Sequence, residues 1–471
     1  MVSYLISDCW LSLSLNRLLT CFVLTWSNHH QNNKMVDGPV LIVGCGVFGL
    51  STALELVKKG KFVTLIDKYE PPSPWSAAND FNKIIRCEYS DPLYARMAVE
   101  ALYIWREDPI FSKSLNECGR VLVTPIQHEG RIEFEMKGIQ TLQSMGEGLK
   151  FEYYNGGDGI AARIPQFQRN KIPENQQVKY NPEAGLGRSA DTIADVYSYL
   201  KSHPNVQFVF DFSGSATGLK RYSDGEVGVV TESGFVHSAG TVILALGANT
   251  GSILNLENQQ SATGLFVTHI QLNQNEFAKY KDMPILFDAE MGYFFPPDPK
   301  TYIMKICLTG CGIKRIVPDR FNQGKQVSLP RFHNEHPEDT IPKDSIHGIY
   351  TLLDKYVPDL KNHKLFGSKI CWIGDREGSH FLIDQVPKYR NLYVATGDSG
   401  HGYKFFPNIG KYIVKMIDGT LENEIQESWK WKSRLDGNIV DPAKAKWRVS
   451  KHGTRDLKDI DFVLETGIPK L

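Results

Sequence analysis

The sequence predicts an α/β protein with a Rossmann-like dinucleotide-binding domain assembled from separated segments and an inserted α+β domain carrying a mixed sheet. Three features predict it. Val40-Leu41-Ile42-Val43 runs into Gly44-Cys45-Gly46-Val47-Phe48-Gly49 and then into apolar residues at helical spacing, which reads as strand, turn and helix. A second strand, Phe62-Val63-Thr64-Leu65-Ile66, ends in Asp67. Further nucleotide-type strands, Thr241-Val242-Ile243-Leu244-Ala245 and Leu392-Tyr393-Val394-Ala395, return only after long intervals.

Composition sets the limits. The 471 residues are 42% hydrophobic and 23% charged, enough for two or more cores at ~100–200 residues per domain. Lys plus Arg equals Asp plus Glu at 53 each, so no global field is available to hold nucleic acid or an anionic bilayer. The eight cysteines are scattered, which suits a reducing compartment; only Cys307 and Cys311 lie close together, and no further ligands accompany them, so no metal is expected. Residues 1–34 are apolar in part, but Asp8, Asn16 and Arg17 interrupt them, and Leu18 to Trp26 is about half of the ~20 residues a membrane helix needs. They read as an extension outside the fold.

Each element of the first motif has a chemical reading. Glycines let backbone approach a pyrophosphate, and the helix N-terminus behind them supplies N–H donors and partial positive charge. Asp67 stands where a βαβ unit places the acid that binds a ribose, and its carboxylate would repel a 2′-phosphate. FAD or NAD remains. A nicotinamide dehydrogenase would complete its sheet soon after Asp67. Instead come Ser76-Ala77-Ala78-Asn79-Asp80-Phe81-Asn82-Lys83-Ile84-Ile85-Arg86, a helix-like stretch Tyr94 to Trp105, and a strand signal Gly119-Arg120-Val121-Leu122-Val123. Near the end stands Thr396-Gly397-Asp398-Ser399-Gly400-His401-Gly402-Tyr403-Lys404. A nucleotide domain split in this way suits a flavin.

From Val40 to about Gly419 the chain resembles the FAD-dependent amine oxidases, the family of monomeric sarcosine oxidase, fructosyl amino acid oxidase (amadoriase) and pipecolate or saccharopine oxidase. Four motifs carry the likeness in order: the Gly44 to Gly49 turn, Asn82-Lys83-Ile84-Ile85-Arg86, Met304-Lys305-Ile306-Cys307, and Cys371-Trp372 with Gly400-His401-Gly402-Tyr403-Lys404. The resemblance implies FAD bonded covalently through the sulfur of Cys371; by position alone Cys371 would read as an ordinary buried cysteine. It implies that Lys305 activates O2, whereas a lysine ending a β-like run would otherwise read as a solvated edge residue. Where sarcosine oxidases carry a histidine four residues later, this chain has Thr309. Arg86 and Lys404 match the pair that holds a substrate carboxylate, although Arg86 beside Glu88 could be a plain surface ion pair. Amadoriases often lack an arginine at that place, which points away from sugar-derived amines.

The remaining site expectations follow from the same likeness. His401 is expected beside the flavin, in a catalytic or a structural role. Asn82 and Lys83 are expected flavin contacts, with Lys83 in place of an arginine. Gly44, Gly46, Val47, Phe48, Gly49, Asp67, Ser76, Asp398, Gly400, Tyr403 and Lys404 complete the expected cofactor set.

The expected organisation is residues 38–90 as the first FAD-binding segment, 91–180 mostly substrate domain, 181–265 the second FAD-binding segment, 266–365 substrate domain, 366–420 the third FAD-binding segment and 421–471 a tail. Tyr293-Phe294-Phe295 and Thr301 to Ile306 are strand signals of the substrate domain, and Asp319 to Lys343 reads as a surface connection. The tail, with Trp429, Trp431 and Trp447, is expected to pack over the body. The ending Pro469-Lys470-Leu471 departs from a peroxisomal Ser-Lys-Leu at its first residue, so the expected location is the peroxisome or otherwise the cytoplasm.

The expectation is therefore a monomeric flavoprotein oxidase whose partners are O2 and a small-molecule secondary amine or N-substituted amino acid, with no nucleic acid or membrane. The imine it forms would hydrolyse, and O2 would become hydrogen peroxide. The alternatives left open are a fructosyl amino acid oxidase, an FAD dehydrogenase with another electron acceptor, and a flavin-binding module without turnover.

Overall fold

In a computed structural model, residues 38–148, 150–308, 312–432, 440–441 and 453–464 are described. The expected extension 1–34, Thr309, Cys311, Trp447 and the ending Pro469-Lys470-Leu471 lie outside them. The apolar run Val40–Val43 is the centre of a six-stranded sheet ordered Leu382–Gln385, Leu392–Thr396, Thr241–Leu244, Val40–Val43, Val63–Ile66, Val206–Val209. All neighbours run parallel except Leu382–Gln385 against Leu392–Thr396. A parallel strand needs cover on both faces, and its side chains alternate between them. Val40 and Ile42 enter the core shared with helices Val47–Lys58, Ser189–Lys201 and Ile409–Ile417. Leu41 and Val43 point the other way, onto Val227 and Val229 of a three-stranded antiparallel layer.

Helix Pro92–Glu107, started by Pro92 and capped by the Asp91 side chain accepting from Leu93 N, includes the expected stretch 94–105. It packs into the nucleotide-side core through Leu93, Met97 and Trp105, although its numbers fall in the segment assigned mostly to the substrate domain.

The second layer is a ten-stranded mixed sheet. Its middle runs Gln260–Gln271, Ile303–Leu308, Gly292–Phe294, Ile285–Asp288, Arg120–Pro125, Gln176–Asn181. Two expectations need correction here. Phe366–Arg376, placed with the third FAD-binding segment, is a strand of this sheet, in antiparallel register with Gln260–Gln271 from Gln260↔Arg376 to His269↔Phe366. The sheet claims Phe366–Arg376 because its backbone groups pair along Gln260–Gln271, a partner that local sequence does not reveal. The connection 319–343 is also not wholly superficial. Asp339, Thr340 and Ile341 are buried, and Trp372 donates its Nε1–H to the Arg331 carbonyl. Trp429 in the tail is fully buried and donates to the Tyr94 hydroxyl at 3.0 Å. Among the described residues no helix is long and apolar enough to cross a membrane.

Candidate active site

The first motif folds as strand, turn and helix. Gly44 has φ +108°, and a Cβ there would meet the Ala245 carbonyl oxygen at 2.5 Å; a Cβ on Gly49 would meet the Gly44 oxygen at 1.9 Å. Both positions therefore need glycine. Gly46 caps helix Val47–Lys58 with no side chain, so its first-turn N–H groups stay available to an anion. Asp67, at the end of Val63–Ile66, accepts from Cys45 N inside this turn at 2.7 Å, which sets the carboxylate beside the cradle. The donor set and the space closed to a Cβ fit a dinucleotide.

Phe48 turns its ring into the core against Phe381, centroids 5.3 Å apart, so its part in the cradle is backbone, while Val47 opens the helix beside it. Ser76 accepts from Ala78 N within its own turn. Asp398 accepts from Gly374 N and Gly400 N, and burial pushes its pKa up to about 6. Tyr403 donates to Thr192 Oγ1 at 3.0 Å.

Beyond the turn lies a cavity of about 360 Å³ that brings together Lys83, Arg86, Lys305, His401, Tyr403 and Lys404. Lys305 is 2% exposed and lies within the large sheet, not at an edge in water. Its Nζ donates to Asp80 Oδ2 at 2.6 Å and to the Asn82 carbonyl at 2.7 Å. Lys83 donates to the same Asp80 oxygen at 2.5 Å. Burial alone would raise the Asp80 pKa, but Lys305, Lys83 and Lys369 outweigh it and hold the carboxyl well below the usual range. Asn82 leaves its buried Oδ1 without a partner among the described residues.

Arg86 is not paired with the Glu88 carboxylate. It donates to the Glu88 carbonyl, while the Glu88 carboxylate takes Arg120 at 2.5 Å. The Arg86 guanidinium lies 4.6 Å from the Tyr89 ring centroid and Lys404 Nζ 5.5 Å, so two cations face one ring. Lys404 donates to the His401 carbonyl, and burial, reinforced by Arg86 and Arg120, lowers its pKa well below the ordinary lysine value. His401 Nε2 is 2.8 Å from the Ser379 carbonyl, which can only accept, so this nitrogen carries the hydrogen and Nδ1 accepts from Tyr89 OH at 3.1 Å. Burial and nearby Lys404 keep His401 neutral.

Cys371 is buried in an apolar cluster with Val267, Phe295 and Cys307. Register places it on the sheet face that carries Lys305: Leu265 opposes Cys371, His269 opposes Lys305, and these positions alternate along one strand. Tyr293, Phe295 and Phe287 supply the aromatic wall.

Several residues of this site carry no role in the sequence reading. Asp80 lies inside a quoted motif without an assigned task. Arg120, Glu88, Arg131, Glu135 and Lys179 form a charged wall at the same cavity. The one local signal is Arg120, a charge beginning the otherwise apolar run Val121-Leu122-Val123.

The sequence family described as FAD dependent oxidoreductase matches residues 39–416. The chain is 37% identical over 439 residues to L-saccharopine oxidase of Schizosaccharomyces pombe, covering 90% of this chain and 99% of that protein. It is 24% identical to monomeric sarcosine oxidase of Bacillus sp. (strain B-0618), covering 82% and 94% of the two chains. The solved structure of fructosyl peptide oxidase from E. terrenum superposes with a TM-score of 0.82 at 30% identity, covering 91% of this chain and 98% of that one.

Proposed function

The chain belongs to the FAD dependent oxidoreductase family, and from that premise we propose that it oxidises the C–N bond of a secondary amine of the N-substituted amino acid class. The observation that carries this reading is one cavity joining Arg86, Lys404 and Lys305. The saccharopine and sarcosine oxidases it resembles are named for substrates of this class.

When bound, FAD supplies the two-electron acceptor that takes a hydride equivalent from the carbon beside nitrogen and delivers the electrons to O2, forming hydrogen peroxide. The chain's own residues do the rest. Arg86 and Lys404 bind the substrate carboxylate with charge-assisted hydrogen bonds and fix the carbon to be oxidised. Their positive field favours the neutral amine, whose lone pair is free to form the imine, so no side-chain base is required. Tyr89, held by His401, supplies the ring under both cations. Tyr293, Phe295 and Phe287 exclude water, which strengthens each electrostatic contact. The imine then hydrolyses to amine and carbonyl compound.

Lys305 is the cation for O2 reduction, where negative charge develops; one charge at ~4 Å is worth about 4 kcal/mol at an effective dielectric near 20. The flavin is attached through Cys371, and Asn82, Lys83, Asp398 and the Gly44 to Gly49 turn hold it. The reading is tested by adding sarcosine, pipecolate, saccharopine, N-methyl amino acids and fructosyl amino acids anaerobically and following flavin absorbance. At least one amino acid amine bleaches the flavin and air restores it; a flavin that no amine bleaches overturns the proposal. Under ultraviolet light a denaturing gel shows a fluorescent band that Cys371→Ser removes; its persistence refutes the attachment.

A further inference from the structure

We propose that Lys369 is a positioning residue for the oxygen reaction. From the strand that carries Cys371 it anchors the turn Asn79-Asp80-Phe81-Asn82, so that Asp80 holds Lys305 in place. This rests on the reading of Lys305 as the cation for O2 and names what fixes it there.

Two lysines reach this turn from opposite sides of one strand. Ile303–Leu308 and Phe366–Arg376 flank Gln260–Gln271, where His269 opposes Lys305, Val267 opposes Lys369 and Leu265 opposes Cys371. Positions 265, 267 and 269 alternate along that strand, so Lys305, Lys369 and Cys371 share a face. On it Lys305 donates to the Asn82 carbonyl at 2.7 Å and Lys369 donates to the Asn79 carbonyl at 2.9 Å. The turn is thus gripped at both ends. Between them the Asp80 carboxylate takes Lys305 and Lys83, while the Asp80 carbonyl accepts from Ser189 Oγ and Ala190 N. Phe81 packs edge-on against His269, with ring centroids 5.4 Å apart.

A bulge aims Lys369. Between Val267 and His269 the ladder slips, so that two steps on that strand face three on its neighbour, from Lys369 to Phe366. Gly367 takes up the extra residue at φ +60°, a conformation that favours glycine. Two side chains lock it. The Thr268 and Ser368 hydroxyls meet at 2.7 Å, and the Gly367 carbonyl accepts the Nδ1–H of His269 at 3.2 Å. A bulge bends its strand and redirects the side chains beside it, and Lys369 is the next residue but one. His269 therefore serves both lysines: it faces Lys305 in register, fixes the bulge before Lys369 and supports Phe81 between their two bonds.

Charge fits this role. Lys305, Lys83 and Lys369 together hold the Asp80 carboxyl well below its usual range, yet among the described residues Lys305 and Lys83 are the two that pair with it. Lys369 forms no ion pair there and has the Asn79 carbonyl as its acceptor. An ammonium ties a carbonyl more strongly than a neutral donor does. Without it the Asn79 end can pivot about the Asp80–Lys305 pair and carry Lys305 with it. A shift of ~1 Å at a reacting group costs on the order of a hundredfold in rate.

Anaerobic titration of the FAD-loaded full chain with dithionite, followed by stopped-flow mixing with O2, reads the oxygen step without any amine. Lys369→Met is expected to slow reoxidation by about tenfold, and Lys369→Arg, which keeps a cationic donor for the same carbonyl, to recover it to within about threefold. Gly367→Ala, which forces a side chain into positive φ, is expected to slow it likewise and to add nothing to Lys369→Met, because both release one anchor. Hydrogen exchange of residues 76–85, followed with and without FAD, is expected to quicken in Lys369→Met and Gly367→Ala but not in Lys369→Arg. Reoxidation of Lys369→Met within threefold of the unaltered protein, an arginine variant as slow as the methionine one, or unchanged exchange of residues 76–85 overturns the proposal. Should Lys369→Met fail to fold, the rate and exchange of Gly367→Ala decide by the same limits. If Lys305→Met slows reoxidation and Lys369→Met does not, the proposal fails alone. If Lys305→Met leaves reoxidation unchanged, the reading of Lys305 fails, and the part of Lys369 in the oxygen step fails with it.

Discussion

Replacing Asp80 by asparagine should destabilise this protein more than replacing either lysine that Asp80 holds. The Asp80 side chain is 1% exposed and carries Lys305, 2% exposed, at 2.6 Å and Lys83, 23% exposed, at 2.5 Å. Asp80→Asn leaves the Lys305 ammonium with neutral acceptors alone, the Asn82 carbonyl and the new amide oxygen, while Lys83 remains close by. Stranding a buried charge in this way costs about 3–5 kcal/mol. Lys305→Met removes the bonds to Asp80 and to the Asn82 carbonyl but strands no charge, because Asp80 keeps Lys83, a loss of roughly 1.5–3 kcal/mol for the bond to the carboxylate. Lys83→Met should cost least, because Lys83 is the more hydrated partner. The double variant Asp80→Asn with Lys305→Met leaves only the more hydrated Lys83 without its carboxylate and should fall short of the summed single losses by about 1 kcal/mol or more. Denaturant unfolding of the full chain at saturating FAD measures all four, with the flavin concentration held equal because ligand binding itself adds stability. If Lys305→Met is as damaging as Asp80→Asn, or if the two losses simply add, the shared carboxylate is not what holds this cluster together.

Three other outcomes follow from the geometry. Lys305→Met should slow reoxidation of the reduced flavin by O2 by about a thousandfold, from the ~4 kcal/mol its charge contributes, and stopped-flow absorbance that shows a change within threefold would remove Lys305 from the oxygen step. His269 is fully buried, donates Nδ1–H to the Gly367 carbonyl, and burial pushes its pKa down to about 4. Because the unfolded chain takes up this proton first, near pH 6.5, stability present above that pH is lost as the pH falls toward about 4, by on the order of 3 kcal/mol at about 1.4 per pKa unit. His269→Gln should flatten that part of a stability–pH curve, and an unchanged slope would assign the loss to other groups. Gly49→Ala forces a Cβ against the Gly44 oxygen at 1.9 Å, which should weaken FAD retention by about 1–3 kcal/mol or more; undiminished affinity in an equilibrium titration would argue that the turn does not cradle the cofactor.

By itself the sequence determined those features that depend on neighbours along the chain. The strand, glycine turn and helix from Val40 are legible because apolar period, turn chemistry and helix spacing are local properties. Asp67 was legible for the same reason, as the acid ending the next strand. Arg86, Lys305, His401 and Lys404 were legible through motifs, and they line one cavity.

Only the tertiary structure decided what those charges touch. Lys305 and Asp80 are 225 residues apart, and no periodicity links them; they meet because the large sheet brings the strand of Lys305 beneath the turn before Lys83–Ile85. Glu88 looks like the partner of Arg86 because the two are only two residues apart in sequence, yet its carboxylate is taken by Arg120. The charged wall arises from strand register between 120 and 181. Register follows from how whole hydrophobic faces stack, since a slip of one residue turns every side chain to the opposite face. Cation identity is therefore written locally, whereas the pairing that makes a cation into a binding site is a property of the assembled sheets.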